Sequence, residues 1–195
     1  MSSPDKTRVE RSLREKGARK TRDCGGLYGR SRIGRTRRLA FAAMFAALAL
    51  IFSYVEMLVP IPVPIPGVKL GLANLVILIA LYRLGFRYAF TINCVRIVIA
   101  GLLFSGVFGM LYSFGGGILS ILVMYLLYRT KLFSMVGISM AGGVMHNLGQ
   151  LLTACAIMSN ISLLSYFAIL FFSGLISGIL IGILAYSIEQ RLPAD

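Results

Sequence analysis

Tryptophan is absent, histidine occurs once, and the 195 residues include only three cysteines and seven acidic residues. Each scarcity removes a class of chemistry. A single histidine, His146, and no acidic cluster leave nothing from which to build a metal centre or a Ser-His-Asp type of triad. Cys24, Cys94 and Cys155 form neither a C-x-x-C pair nor an even framework, which argues against a zinc site and a disulfide scaffold. They read as a tail thiol and two small packing residues. The run Gly115-Gly116-Gly117, followed by Ser120, lacks the Lys-Ser or Lys-Thr of a Walker phosphate loop, so the chain does not hydrolyse nucleotide itself. Aspartate occurs only as Asp5, Asp23 and Asp195, outside every apolar stretch, so no aspartate pair can hold magnesium on a diphosphate. The chain is not expected to be an enzyme alone, and no metal or cofactor is implied.

What it has in abundance is apolar surface. Hydrophobic residues make up 57% of the chain and the mean hydropathy is +0.82, more than a globule of this size can hide, so lipid must cover it. The net charge of +13 suggests nucleic acid until the charges are located: 13 of the 20 basic residues lie in residues 1–38. This segment is rich in Arg, Gly and Ser and poor in large apolar residues, which predicts a disordered tail. It is either a topogenic extension or a ligand for anionic lipid headgroups. No aromatic platform or folded basic module accompanies it, so nucleic acid is not an expected partner. The apolar stretch 39–59 is longer than a signal-peptide core and more spans follow it, so it reads as a retained first helix.

Crossing about 30 Å of hydrocarbon takes roughly 17–25 helical residues, which predicts six spans, at 39–59, 68–84, 88–106, 109–128, 134–158 and 162–188. Positive charge alternates between their connections. Arg35, Arg37 and Arg38, then Arg83 and Arg87, then Arg129 and Lys131, and finally Arg191 fall on one side, while the other three loops hold only Lys69. The positive-inside rule then makes both termini cytoplasmic. The fold expected is an all-α membrane protein, a tail at 1–38 followed by a six-helix transmembrane domain at 39–190.

Small residues mark helix contacts. Ala42 with Ala46 and Ala43 with Ala47 form two small-xxx-small pairs on the first span, and Gly174, Gly178 and Gly182 repeat the device on the last. Pro60-Ile61-Pro62-Val63-Pro64-Ile65-Pro66-Gly67 should be stiff and extended, as a cap over the bundle or a plain connector.

Polar side chains at membrane depth are costly and mark function: Glu56, Lys69, Asn74, Asn93, Arg96, His146, Asn147 and Gln150. At 1.5 Å per residue, Arg96 is about 12 Å from the inner edge of its span, His146 about 18 Å and Gln150 about 24 Å, while Asn74 is about 9 Å below the outer edge. His146 and Gln150 share a face of the fifth helix, with Asn147 beside them, and Asn93 and Arg96 share one on the third. Lys69 and Arg96 against Glu56, with His146 near neutrality, suggest an outward-opening pocket for a phosphate or carboxylate. The competing reading has Arg96 snorkelling to headgroups, Glu56 paired with Lys69, and the amides bonding neighbouring helices.

Pro66-Gly67-Val68-Lys69-Leu70-Gly71-Leu72-Ala73-Asn74, then Tyr112-Ser113-Phe114-Gly115-Gly116 with Ser120 and Met124, then His146-Asn147-Leu148-Gly149-Gln150 resemble the Gx transporter family. That family is also labelled heptaprenyl diphosphate synthase component I, and the resemblance covers about residues 37–190. It is similar in architecture to the substrate-binding S components of energy-coupling-factor transporters of bacterial cytoplasmic membranes. The resemblance implies capture of a small anionic solute from outside, with Glu56, Lys69, Asn74, Arg96, His146, Asn147 and Gln150 around it. It also implies docking of a coupling transmembrane subunit and its ATPases on Ala42, Ala43, Ala46 and Ala47. The second label implies a different role, that of a noncatalytic membrane partner of a prenyl diphosphate synthase.

Overall fold

The computed structural model describes residues 34, 36–58 and 71–191; the expectations for the tail, the proline run and Lys69 lie outside them. The described residues form helices and turns without strands. Helix α1 is Thr36–Leu58, α2 Leu72–Arg83, α3 Phe86–Ala100, α4 Gly106–Thr130, α5 Met135–Met158 and α6 Phe167–Arg191. A π-helical turn, Gly101–Ser105, ends α3, and a 3-10 turn, Ile161–Tyr166, leads into α6. Two compact units divide the chain, Met1–Phe41 and Ala42–Asp195. In the first, the Arg37 guanidinium lies 5.5 Å over the Phe41 ring; everything below concerns the second.

Three segments are long and apolar enough to cross a membrane: Thr36–Leu58, Phe86–Thr130 and Ile161–Arg191. The middle one has 45 residues and as a single rod would reach about 68 Å, over twice the hydrocarbon thickness. It folds back instead. Gly106 takes φ 67° and ψ 178°, a conformation closed to L side chains, and beyond it Met110 packs on Gly101 and Gly117 on Ile97 and Asn93. The sequence places this break between 106 and 109; the structure begins it earlier, in the π-turn. Helix α5 has 24 residues, about 36 Å and long enough to cross, but its polar residues and glycines keep it out of the apolar class.

The second expected span, 68–84, is corrected more sharply. Its helix starts at Leu72, behind Gly71 in the left-handed region at φ 77°, and has 12 residues, about 18 Å and too short to cross alone. Eight of those 12 are buried, as expected of a helix that is apolar all round and lies inside a bundle. With Ala42, Phe45, Ala49, Ile121, Met124 and Ile138, it forms the hydrophobic core.

Lipid offers no hydrophobic gain for helix association, so close packing has to supply it. A Cβ on Gly178 would lie 2.6 Å from the Met140 Cα, and one on Gly182 2.7 Å from the Val136 Cα, so glycine at these positions is what lets α6 approach α5 this closely. Gly115 and Gly116 seat α4 on α5 at Gly149 and the His146 carbonyl. The alanine pairs separate: Ala42 is buried and Ala46 half-buried, whereas Ala43 and Ala47 are exposed.

Polarity is inverted relative to a soluble protein. Leu102, Leu103, Val107, Phe108 and Phe172 are exposed while Asn93, Arg96, Asn147 and Gln150 are buried, the distribution expected of a lipid-facing bundle. One end is basic and aromatic. There the Arg83 Nε is 2.8 Å from the Glu189 carboxylate, Tyr82 meets Tyr128 edge-on at 4.8 Å, and Phe86 stacks on Tyr125 at 4.3 Å. These contacts gather the C-terminal ends of α2, α4 and α6 and the start of α3, bringing Arg83, Arg87, Arg129 and Arg191 to the same end.

Gly178→Val is expected to lower stability by more than about 2 kcal/mol through overpacking, while Leu180→Ala, on the exposed face, changes it by less than about 0.5 kcal/mol. Thermal unfolding in mild detergent checks both.

Candidate functional site

The polar residues converge. A cavity of about 130 Å³ is lined by Ser53, Glu56 and Met57 of α1, Ala73 and Asn74 of α2 with its cap Gly71, and Arg96, Ile97 and Ala100 of α3. Gly101 and Ser105 of the π-turn, Ser113 of α4, Gly143, His146 and Asn147 of α5, and Ser177 of α6 complete it. Pockets for drug-sized ligands measure roughly 300–1,000 Å³, so this one suits a compact group or a few waters.

Arg96 sits at the centre of its polar wall. It is 7% exposed and does not snorkel: one terminal amino group donates to the Asn93 Oδ1 at 2.9 Å and the other to the Ser53 hydroxyl at 3.3 Å. Asn93 in turn donates from Nδ2 to the Gly117 carbonyl of α4 at 3.1 Å, and Ser53 donates to the Ala49 carbonyl at 2.9 Å. A chain of hydrogen bonds thus runs from α4 through α3 to α1. Gly117 is its socket, since a Cβ there would stand 2.9 Å from the Asn93 Nδ2.

The opposite wall uses the same device. Asn147 donates to the Leu170 carbonyl of α6 at 2.8 Å, and a Cβ on Gly174 would crowd its Nδ2 at 2.9 Å. The Gln150 amide nitrogen is 3.1 Å from the His146 Nε2. At the start of α2, the Leu72 N–H donates to the Glu56 carboxylate.

Of the expected binding residues, Glu56, Asn74, Arg96, His146 and Asn147 line this one cavity. Gln150 does not; it stands behind His146 and orients it, because α5 carries it one turn further on. Lys69 lies outside the described residues. Asn93 proves to be a positioning residue, buried to 2% exposure. Ser53, Ser105 and Ser177 were invisible in the sequence, and Ser113 entered only within the motif that carries the family resemblance, because hydroxyls are common in helix contacts and carry no charge to mark them. Among the described residues no group of three His, Cys, Asp or Glu side chains could hold a metal ion.

A family model described as heptaprenyl diphosphate synthase component I matches residues 45–188, a stretch that includes every residue lining the cavity. No curated protein and no solved structure matches the chain.

Two expectations follow from the geometry. Asn93→Ala, which strands Arg96 and the Gly117 carbonyl together, should cost roughly 2–3 kcal/mol in detergent unfolding. With the native cysteines replaced, Ser113→Cys and Ser177→Cys should react with a small water-soluble thiosulfonate, and Leu180→Cys on the exposed face should not; mass spectrometry reads the adducts.

Proposed function

The chain belongs to the heptaprenyl diphosphate synthase component I family, and from that membership we propose that it is the noncatalytic membrane component of a prenyl diphosphate synthase system. The observation carrying this reading is the family match over residues 45–188, which takes in nearly all of the helical unit. Component I is not catalytic alone, in keeping with a chain whose aspartates are limited to Asp5, Asp23 and Asp195. Its role is to hold a catalytic partner at the bilayer and to offer the anionic end of a substrate or product a polar cavity among the helices.

We further propose six membrane crossings with both termini in the cytoplasm. The gathering of Arg83, Arg87, Arg129 and Arg191 at one end supports this topology. The cavity itself favours a second reading, capture of a small anionic solute in the manner of an S component. A mere anchor needs no enclosed polar site, and Ala43 and Ala47 leave a smooth exposed face for a coupling subunit.

Purification in mild detergent from cells that also express a prenyl diphosphate synthase decides between the two. The expected result is copurification of the catalytic subunit and prenyl transfer that falls at least about tenfold when this chain is deleted. Transfer unchanged by deletion, together with copurifying ATPases, would overturn the synthase reading and leave solute capture.

A further inference from the structure

Helix α2 begins inside the bundle. Its C-terminal Arg83 is tied to Glu189 at the basic end, and its 12 residues put its start only about 18 Å from that end. The first N–H groups of a helix have no intrahelical partner and carry the positive end of its dipole. Gly71 has no side chain with which to cap them, and Gly71 and Ala73 both line the cavity. The Leu72 N–H is taken by the Glu56 carboxylate, reaching across from α1.

Arg96 adds an independent observation. It lines the same cavity, it is more than nine-tenths buried, and its Nε has no hydrogen-bond partner. The Glu56 carboxylate lines the cavity beside it. One half-buried carboxylate therefore holds the helix start and shares the cavity with the guanidinium.

We propose that Glu56 is a built-in substitute for an anionic ligand. It holds the α2 N-terminus within the cavity that Arg96 also lines; a phosphoryl group entering the cavity takes over the helix start and binds Arg96, and the Glu56 side chain swings aside. Helix N-termini and arginine are the groups that recognise phosphoryl oxygens, and a volume of about 130 Å³ admits a compact oxyanion but not a nucleotide. The inference deepens the binding role proposed above and rests on it for the choice of phosphoryl ligands.

The test is calorimetric titration of the purified full chain in detergent with inorganic phosphate, inorganic pyrophosphate and a short-chain prenyl diphosphate. Glu56→Gln keeps an oxygen for the Leu72 N–H but removes the competing charge, so it is expected to tighten binding by at least about tenfold; Arg96→Gln is expected to weaken it by at least as much. Binding of the prenyl diphosphate alone identifies a lipid-borne phosphoryl group, binding of the inorganic anions as well identifies free oxyanions, and either upholds the site. Failure of every probe to bind either the wild type or Glu56→Gln overturns it, as does weakening by Glu56→Gln. Should that variant not fold, infrared difference spectra of the wild type serve instead: the carboxylate band shifts when a probe is added, and an unshifted band refutes displacement. No synthase is present, so loss of the synthase association would leave this result standing, and the converse holds.

Discussion

The buried guanidinium of Arg96 is the constraint around which the bundle is arranged. Placed among apolar helices, it brings several N–H donors that need acceptors and a charge that needs an answer. Asn93 and Ser53 supply acceptors from α3 and α1, and Asn93 is itself anchored on the Gly117 carbonyl of α4. Three helices are thereby fixed around one side chain. Any shift of α4 or α1 would take a buried polar group of this network away from its partner, at a cost in free energy.

Glycine makes the arrangement sterically possible. Gly117 makes room for Asn93 and Gly174 for Asn147, while Gly116 faces the His146 carbonyl and the Gln150 side chain. The small residues and the polar residues are two halves of one design: each amide reaches a neighbouring backbone carbonyl because a glycine on that helix leaves room for it. The same contacts bring α4, α5 and α6 close without any hydrophobic drive between helices, so stability and site geometry share their residues.

The consequence for function is a preformed site whose own charges are largely answered from within. Glu56, Arg96 and the start of α2 face one another across a small volume, and His146 is oriented by Gln150 from behind. The family to which the chain belongs is a component of the synthase and not by itself the catalyst.

Much of this was legible in the sequence. Mean hydropathy, the alternation of basic loops and the scarcity of aspartate pointed to lipid as solvent, to the approximate helices and to a chain not catalytic alone, because these follow from composition and one-dimensional spacing. Glu56, Asn74, Arg96, His146 and Asn147 stood out since a polar residue in an apolar run is rare. Only the tertiary structure decided that Gln150 supports rather than lines the cavity, that Asn93 is the hub, that unremarkable serines face inward and that α2 starts in mid-bundle. Those facts depend on where α1 to α6 turn relative to one another and on a left-handed Gly71, and helix rotation and backbone hand leave no trace in spacing along the chain.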